Sequence, residues 1–253
     1  MKIKLTIIFI LVFSAFMLPR EPGEIVKKCI TTLGGEAALS QYNDFSGTGT
    51  STMKINWYRE FSGKFKIIRK GRKSWTKSDL DFGSRTLAMI ESFDGRTAWT
   101  DRFNTVTDKP ALDFESDLRH TVTVLLDKQA VFTTAKDAEI DGRAAAGIEA
   151  NVKGRKTLFF IDKEDYTILE IVFKDTYFNA DRVKEEMEKR IRYSDYKKFA
   201  GVLFPTGAVI YKKGKKQIEY HLEKVTFKPT VPGSQFLRPE EEIDFRYYEE
   251  KFF

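Results

Sequence analysis

Glycine-containing turn signals divide most of this chain into short segments, and this spacing constrains the fold more than any other feature. After Tyr42, the segments are rich in Val, Ile, Thr, Phe and Tyr, which are the residues favoured in β-strands. Glycine supplies the positive φ that tight hairpins need, whereas parallel strands need longer, usually helical, connections. The pattern therefore predicts an antiparallel meander. The turn signals are Asp94-Gly95, Asp141-Gly142, Lys153-Gly154, Ala200-Gly201 and Lys213-Gly214.

Two segments alternate apolar and polar residues, as strands with one buried face do. In residues 51–57, the alternation puts Met53, Ile55 and Trp57 on one face. The second segment, residues 218–227, places Ile218, Tyr220 and Leu222 on one face. The alternation then changes parity, because the next apolar residues are Val225 and Phe227. A β-bulge restores the buried face in such a strand, so we predict one near Glu223 and Lys224.

Other strand-like segments are apolar on both faces. Leu158-Phe159-Phe160-Ile161 is one, and the stretch from Ile168 to Phe173 is nearly another. A strand with one solvated face does not need this composition. We predict that these strands are covered on both sides or line an apolar cavity.

Helical spacing is confined to a few places. Apolar residues predict a helix over residues 23–40 that breaks at Gly34-Gly35, and a second helix over residues 113–128. Residues 180–190 fit either a helix or a strand, and we favour a long strand over 183–196. Cys29 is the only cysteine, so no internal disulfide forms, and we expect its side chain to be buried in the first helix.

The N-terminus has the pattern of a secretory signal. Lys2 and Lys4 precede a short apolar run from Leu5 to Leu18. We predict a signal peptide over residues 1–20 and a periplasmic protein, with an uncleaved membrane anchor as the alternative. The chain has 43 basic and 37 acidic residues. Without Lys2, Lys4 and Arg20 the net charge falls from +6 to +3, so we expect no nucleic-acid partner.

Residues with catalytic potential are few. The chain has 2 histidines, and no nucleophile elbow, zinc-protease motif or phosphate-binding glycine loop occurs. Glu219 and His221 share a strand face with Glu223, but this spacing is also that of an ordinary solvated face. We predict no metal, no cofactor and no enzymatic activity. A hydrolase would need a nucleophile close in space to His120 or His221.

We predict one folded domain over residues 21–239, followed by an acidic and aromatic tail over 240–253. The tail is either a frayed terminus or a segment that packs its aromatic rings over the sheet or into a cavity mouth.

The order of several motifs resembles a known family. A helix ends in Thr31-Thr32-Leu33-Gly34-Gly35-Glu36-Ala37-Ala38-Leu39, and Gly47-Thr48-Gly49 lies in the first strand. Phe93-Asp94-Gly95-Arg96-Thr97-Ala98-Trp99 follows, then Leu158-Phe159-Phe160-Ile161-Asp162, the hairpin from Tyr193 to Pro205, and Phe236-Leu237-Arg238-Pro239. Over most of residues 24–239, the chain resembles bacterial outer-membrane lipoprotein-sorting proteins of the LolA/LolB-like group.

The resemblance implies an α+β fold, mostly antiparallel β: an unclosed half β-barrel whose strongly curved sheet wraps a few helices. It also implies an apolar cavity that accepts acyl chains. We therefore predict a periplasmic, non-enzymatic protein, expected to be a monomer, that holds lipid or lipoprotein acyl chains in this cavity, with a role in lipoprotein sorting. Arg59 is the nearest candidate for the arginine that latches a lid in such carriers. The alternative is an envelope protein–protein interaction module with a self-filled core. We expect the cavity lining to come from Met53, Ile55, Trp57, Phe65, Ile67, Trp75, Trp99, Phe159, Ile161, Ile171 and Phe173.

Overall fold

The structure is a computed structural model that describes residues 21–55, 59–102, 106–109, 117–178 and 184–238. The predicted signal peptide, Trp57 and the acidic tail lie outside the described residues. The side chains of Ile55 and His120 also lie outside them, although both backbones are described.

The described residues form fourteen strands, as the turn signals predict. In chain order they are β1 Asp44–Ile55, β2 Arg59–Lys70, β3 Lys73–Asp81, β4 Thr86–Phe93, β5 Ala98–Arg102, β6 Val106–Lys109, β7 Val131–Thr134, β8 Ala138–Ile140, β9 Arg143–Val152, β10 Arg155–Asp162, β11 Ile168–Phe178, β12 Lys184–Phe199, β13 Val202–Lys212 and β14 Lys215–Phe227. From Lys184 onward the ambiguous region is a strand, as favoured above, and this strand extends to Phe199; residues 180–183 lie outside the described residues.

All fourteen strands belong to one curved, unclosed antiparallel sheet. Its order is β6-β5-β4-β3-β2-β1-β14-β13-β12-β11-β10-β9-β7, with β8 paired to β9. Nearly every neighbour in this order is also a neighbour in sequence. The main exception is β1, which pairs with β14 from Phe45 opposite Phe227 to Met53 opposite Ile218.

The predicted glycine turns adopt the conformation that tight hairpins favour. Asp141 and Gly142 have φ of 49° and 80°, and Ala200 and Gly201 have φ of 47° and 86°. Positive φ at both central residues gives a turn whose twist matches that of the flanking strands. The turn after β4 differs, because the Asp94 carboxylate accepts hydrogen bonds from two backbone amides, at 2.7 Å and 2.8 Å.

Three α-helices are described: α1 Pro22–Thr32, α2 Glu36–Leu39 and α3 Asp117–Leu126. The predicted break between the first two is confirmed, and Gly34 and Gly35 there have φ of 113° and 88°. Cys29 is 0% exposed, as expected for a small buried hydrophobe. These helices pack against one face of the sheet, which we call the concave face, and the other is the convex face.

The predicted bulge in β14 is confirmed. Thr48 pairs with Lys224, but the next residue, Gly49, pairs with Leu222, so Glu223 is the extra residue. Leu222 and Val225 consequently both face the concave side and are buried. Gly49 is needed opposite the bulge because a Cβ there would lie 1.9 Å from the carbonyl oxygen of His221.

Strands β10 and β11 are covered on both faces, which confirms that prediction. On the concave face, Phe159 and Ile171 belong to the main core beneath the helices. On the convex face, Leu169 packs with Ile140 of β8 and Ala145 of β9, and Phe160 packs against this cluster. The short strand β8 thus explains why these segments carry large apolar residues at successive positions.

Candidate functional site: the concave face

The concave face has two halves, and its helix-covered half is filled. Phe159, Ile161 and Ile171 are each 0% exposed and belong to the cluster that includes residues of α1 and α3. An apolar void between the described helices and the strands, lined by residues such as Leu39, Leu125 and Ile168, has a volume of about 10 Å³, no more than one water molecule needs. The predicted lining residues Phe159, Ile161 and Ile171 therefore form ordinary core.

Burial shapes the chemistry of this filled half. It raises the pKa of the Cys29 thiol to about 12, and the charge of Asp165 adds to the effect. Burial also raises the pKa of Tyr42 and of Tyr196. Their hydroxyls donate hydrogen bonds to the carbonyl oxygens of Leu203 and Ile168. These groups stay neutral near neutral pH and serve packing.

The other half of the concave face carries an apolar row on β1 to β3. Met53 lies opposite Phe61, and the Phe61 ring stacks on the Phe82 ring with centroids 4.1 Å apart. Phe65 and Leu80 share this face through the pairing of β2 with β3. We call these five residues, Met53, Phe61, Phe65, Leu80 and Phe82, the apolar row.

The apolar row extends beyond the main core. Phe65 belongs to the cluster under the described helices, whereas Met53, 8% exposed, and Leu80, 0% exposed, do not. Phe61 and Phe82 are half-buried. Only Met53 and Phe65 of this row were expected as lining. Strand register identifies the others, since directly paired residues point to the same side of a sheet.

Three more predicted residues lie on the concave face. Ile67 is half-buried and packs against the main core. Phe173 is 7% exposed, and the Lys189 ammonium lies 5.8 Å from its ring centroid. Arg59 is exposed at the start of β2, opposite Ile55 in register, so it lies at the end of the apolar row.

The structure corrects the prediction that Trp75 and Trp99 line the cavity, because both lie on the convex face. Trp75 pairs with Ile68 of β2, whereas Ile67 has the concave orientation. Ser92 pairs with both tryptophans, so all three share one side of the sheet. Phe236 covers this group, and Trp75 packs with it and with Ile68. The chain's own C-terminal segment covers these indoles, so they cannot line a concave cavity.

A polar cleft of about 260 Å³ lies on the convex face around Gly207. Ser194 Oγ donates a hydrogen bond to Asp195 Oδ2 at 3.0 Å, and His221 Nδ1 lies 3.7 Å from the same oxygen. A serine hydrolase needs the hydroxyl to bond the imidazole, which takes its proton. Here the hydroxyl bonds the carboxylate instead, so the arrangement does not activate a nucleophile.

The carboxylates of Asp162 and Asp165 serve the turn between β10 and β11. Asp162 Oδ1 accepts hydrogen bonds from the amides of Glu164 and Asp165, at 2.7 Å and 2.9 Å. The Arg143 guanidinium neutralises both carboxylates. Within the described ranges, no cluster of three or more His, Cys, Asp or Glu side chains is placed to hold a metal ion. In the same ranges, no helix is both long and apolar enough to cross a bilayer.

The architecture matches solved structures at low sequence identity. A LolA superfamily protein from Nitrosomonas europaea aligns with a TM-score of 0.52 and 12% identity, covering 87% of this chain and 99% of that protein. A DUF1329 family protein from Desulfovibrio piger aligns with a TM-score of 0.50 and 10% identity, covering 85% and 97%. No protein-family model and no curated protein matches the sequence. The chain has a LolA-like fold, which confirms the fold that the motifs indicate.

Proposed function

We propose that this protein binds lipid and holds an acyl chain against the apolar row on the concave face. The observation that carries the proposal is the position of that row. Its side chains are apolar and largely buried, yet Met53 and Leu80 lie outside the core that the described helices cover. The LolA-like fold supports the proposal, since it supplies an open, curved sheet with a concave face. Periplasmic localisation and a part in lipoprotein sorting belong to the proposal as well.

The energetics favour exchange over a permanently open pocket. Each acyl methylene that leaves water gains about 0.8 kcal/mol. Leu80 is already fully buried, however, so an entering acyl chain must replace contacts that the protein makes with itself. The net gain is the difference between these two terms, and a cover that competes weakly permits both loading and release. The proposal gives Arg59, at the end of the row, the role of holding such a cover.

The first test is native mass spectrometry of the full chain, exported from its expression host and purified without detergent. The proposal expects a bound phospholipid or acyl species, or else uptake of an added pyrene-labelled fatty acid. The variant Phe61→Asp places a charge on the half-buried part of the row and should weaken fatty-acid binding at least tenfold. Phe61→Leu keeps the surface apolar and should bind within about threefold of the wild type.

A second candidate function is a protein–protein interaction module, which the filled half of the concave face favours. The void described there is about 10 Å³, too small for any acyl chain. A clean unliganded mass, together with no fatty-acid uptake by a folded wild-type protein, would overturn the lipid-binding proposal and leave this candidate.

A further inference from the structure

Lysines cluster on the convex face of β1 to β3 and β14. Lys66 and Lys77 stand directly opposite each other on β2 and β3. Thr48 pairs with Lys66 on one side and with Lys224 on the other, so these residues form a continuous row. Cross-strand pairing brings further lysines to the same face. We call this set the lysine patch: Lys64, Lys66, Lys70, Lys73, Lys77 and Lys224.

The lysine patch is poorly neutralised. Among the described residues, one ion pair involves the patch: Lys77 Nζ lies 3.0 Å from Asp79 Oδ1. Lys64, Lys66, Lys70 and Lys224 are exposed, and no ion pair joins them to a described acidic residue, although Asp79 stands opposite Lys64 and Asp44 opposite Lys70 in register. Like charges directly opposite each other destabilise a sheet. The fold retains this unfavourable repulsion between lysines, which indicates that the patch meets an anion outside the protein.

The patch suits an extended anionic surface. From Lys64 to Lys70 it extends about 20 Å along one strand, at about 3.3 Å per residue. Lysine is a flexible point charge without the forked geometry with which arginine grips a single phosphate. Single-stranded nucleic acid also needs aromatic rings on which bases stack. The indoles at the centre of this face, Trp75 and Trp99, are 9% and 4% exposed and lie under Phe236.

We propose that the lysine patch docks this protein on the surface of an anionic phospholipid bilayer. The inference deepens the proposed function and rests on it, because a protein that loads and releases lipid must visit membranes. Binding through the convex face leaves the concave face, with the apolar row, accessible for lipid exchange. Each lysine near an anionic membrane surface contributes about 1 kcal/mol, and salt weakens the attraction.

Co-sedimentation with vesicles tests the proposal. The full chain should bind phosphatidylglycerol-containing vesicles, not pure phosphatidylcholine vesicles, and should be released by 0.5 M NaCl. The variant K64E/K66E should weaken binding at least tenfold. The matched control is K197E/K198E, which makes the same charge change at two exposed lysines near the end of β12 and should bind within about threefold of the wild type.

Three results would overturn the proposal: equal losses in the two double variants, which indicate an effect of net charge alone; equal binding to phosphatidylcholine vesicles; and tighter binding to a single-stranded oligonucleotide with the same dependence on Lys64 and Lys66. Fatty-acid uptake, measured on the same samples, separates the two proposals. K64E/K66E should keep uptake, and Phe61→Asp should keep vesicle binding, so each proposal can fail without the other.

Discussion

The indole nitrogen of Trp99 donates a hydrogen bond to the carbonyl oxygen of Phe236 at 3.2 Å, although 137 residues separate the two in sequence. Ser92 Oγ lies 3.1 Å from the same carbonyl oxygen and 3.2 Å from that of Ser74, and it shares its one hydroxyl hydrogen between the two. Phe236 is 1% exposed and packs with Trp75 and Ile68. The segment after β14 is thus fixed to the convex face by two hydrogen bonds and one buried ring.

Trp99→Phe should lower the free energy of unfolding by about 1–3 kcal/mol, because it removes one buried hydrogen bond and some ring volume. W99F/S92A should cost more than the sum of the two single variants, since the buried carbonyl then loses both donors. Urea denaturation measures these values. Leu237→Ala, at a side chain that is 55% exposed, is the control and should change stability by less than about 0.5 kcal/mol. Strict additivity would contradict the shared-acceptor interpretation.

Deletion of Glu223 should be tolerated much better than deletion of Thr226. Without Glu223, Leu222 and Lys224 become consecutive and still pair with Gly49 and Thr48, so Val225 stays on the concave face. Thr226 lies in the regular ladder opposite Ser46, so its loss either turns Val225 outward or breaks the pairing with β1. Both side chains are exposed, so the comparison isolates the register. Thermal unfolding checks the prediction, and equal losses in melting temperature for the two deletions would contradict it.

Glu170→Ala should lower the free energy of unfolding by about 1–3 kcal/mol, because it removes a buried acceptor of Arg192, which keeps its ion pair with Asp141. Glu170 is 0% exposed, and Arg192 Nε and Nη2 donate to its Oε2 at 3.1 Å and 3.0 Å. Replacing both residues, as in E170M/R192M, should cost less than the sum of the single variants. A double-mutant cycle gives the coupling, and a coupling near zero would contradict the prediction.

Alkaline pH should destabilise the fold, because it ionises buried groups. Burial raises the pKa of Cys29 from 9.0 to about 12, so the stability it contributes is complete below about pH 9 and is lost as pH rises toward 12. The raised pKa values of Tyr42 and Tyr196 act in the same direction. The free energy of unfolding should be lower at pH 10.5 than at pH 8. Cys29→Ala should reduce this difference without abolishing it.

Thiol labelling gives an independent check on Cys29. At pH 8, a thiol with a pKa of about 12 is ionised in about one molecule in ten thousand, and burial also blocks access. A maleimide or disulfide reagent should therefore react only as fast as the protein unfolds. Rapid labelling of the folded protein would show that α1 opens away from the sheet.

Much of the fold was predictable because the relevant signals are local. The parity change between Leu222 and Val225 can be seen in the sequence, and a bulge is the simplest way to accommodate it. The turn at Ala200-Gly201 is equally local, since its conformation depends on two residues. Gly34-Gly35 marks the break between α1 and α2 for the same reason.

The faces of Trp75 and Trp99 were not predictable in this way. Trp75 has polar or charged neighbours on both sides, so no alternation shows which way the strand faces. The answer depends on its pairing with Ile68, and then on the position of Phe236 far along the chain. Phe61, Leu80 and Phe82 were missed for a related reason, because their shared face depends on register. The size of a cavity depends on how helices pack, and no sequence pattern expresses it.

The pairing of β1 with β14 has a consequence for how the protein is made. Phe45 meets Phe227 in the finished sheet, so one of the first strands to leave the ribosome must wait for the last. Until then both strands have an unpaired edge, which other chains can recognise, and contacts of such long range form slowly. We therefore expect biosynthesis to depend on protection of the nascent chain, and a chain truncated before Lys215 to aggregate.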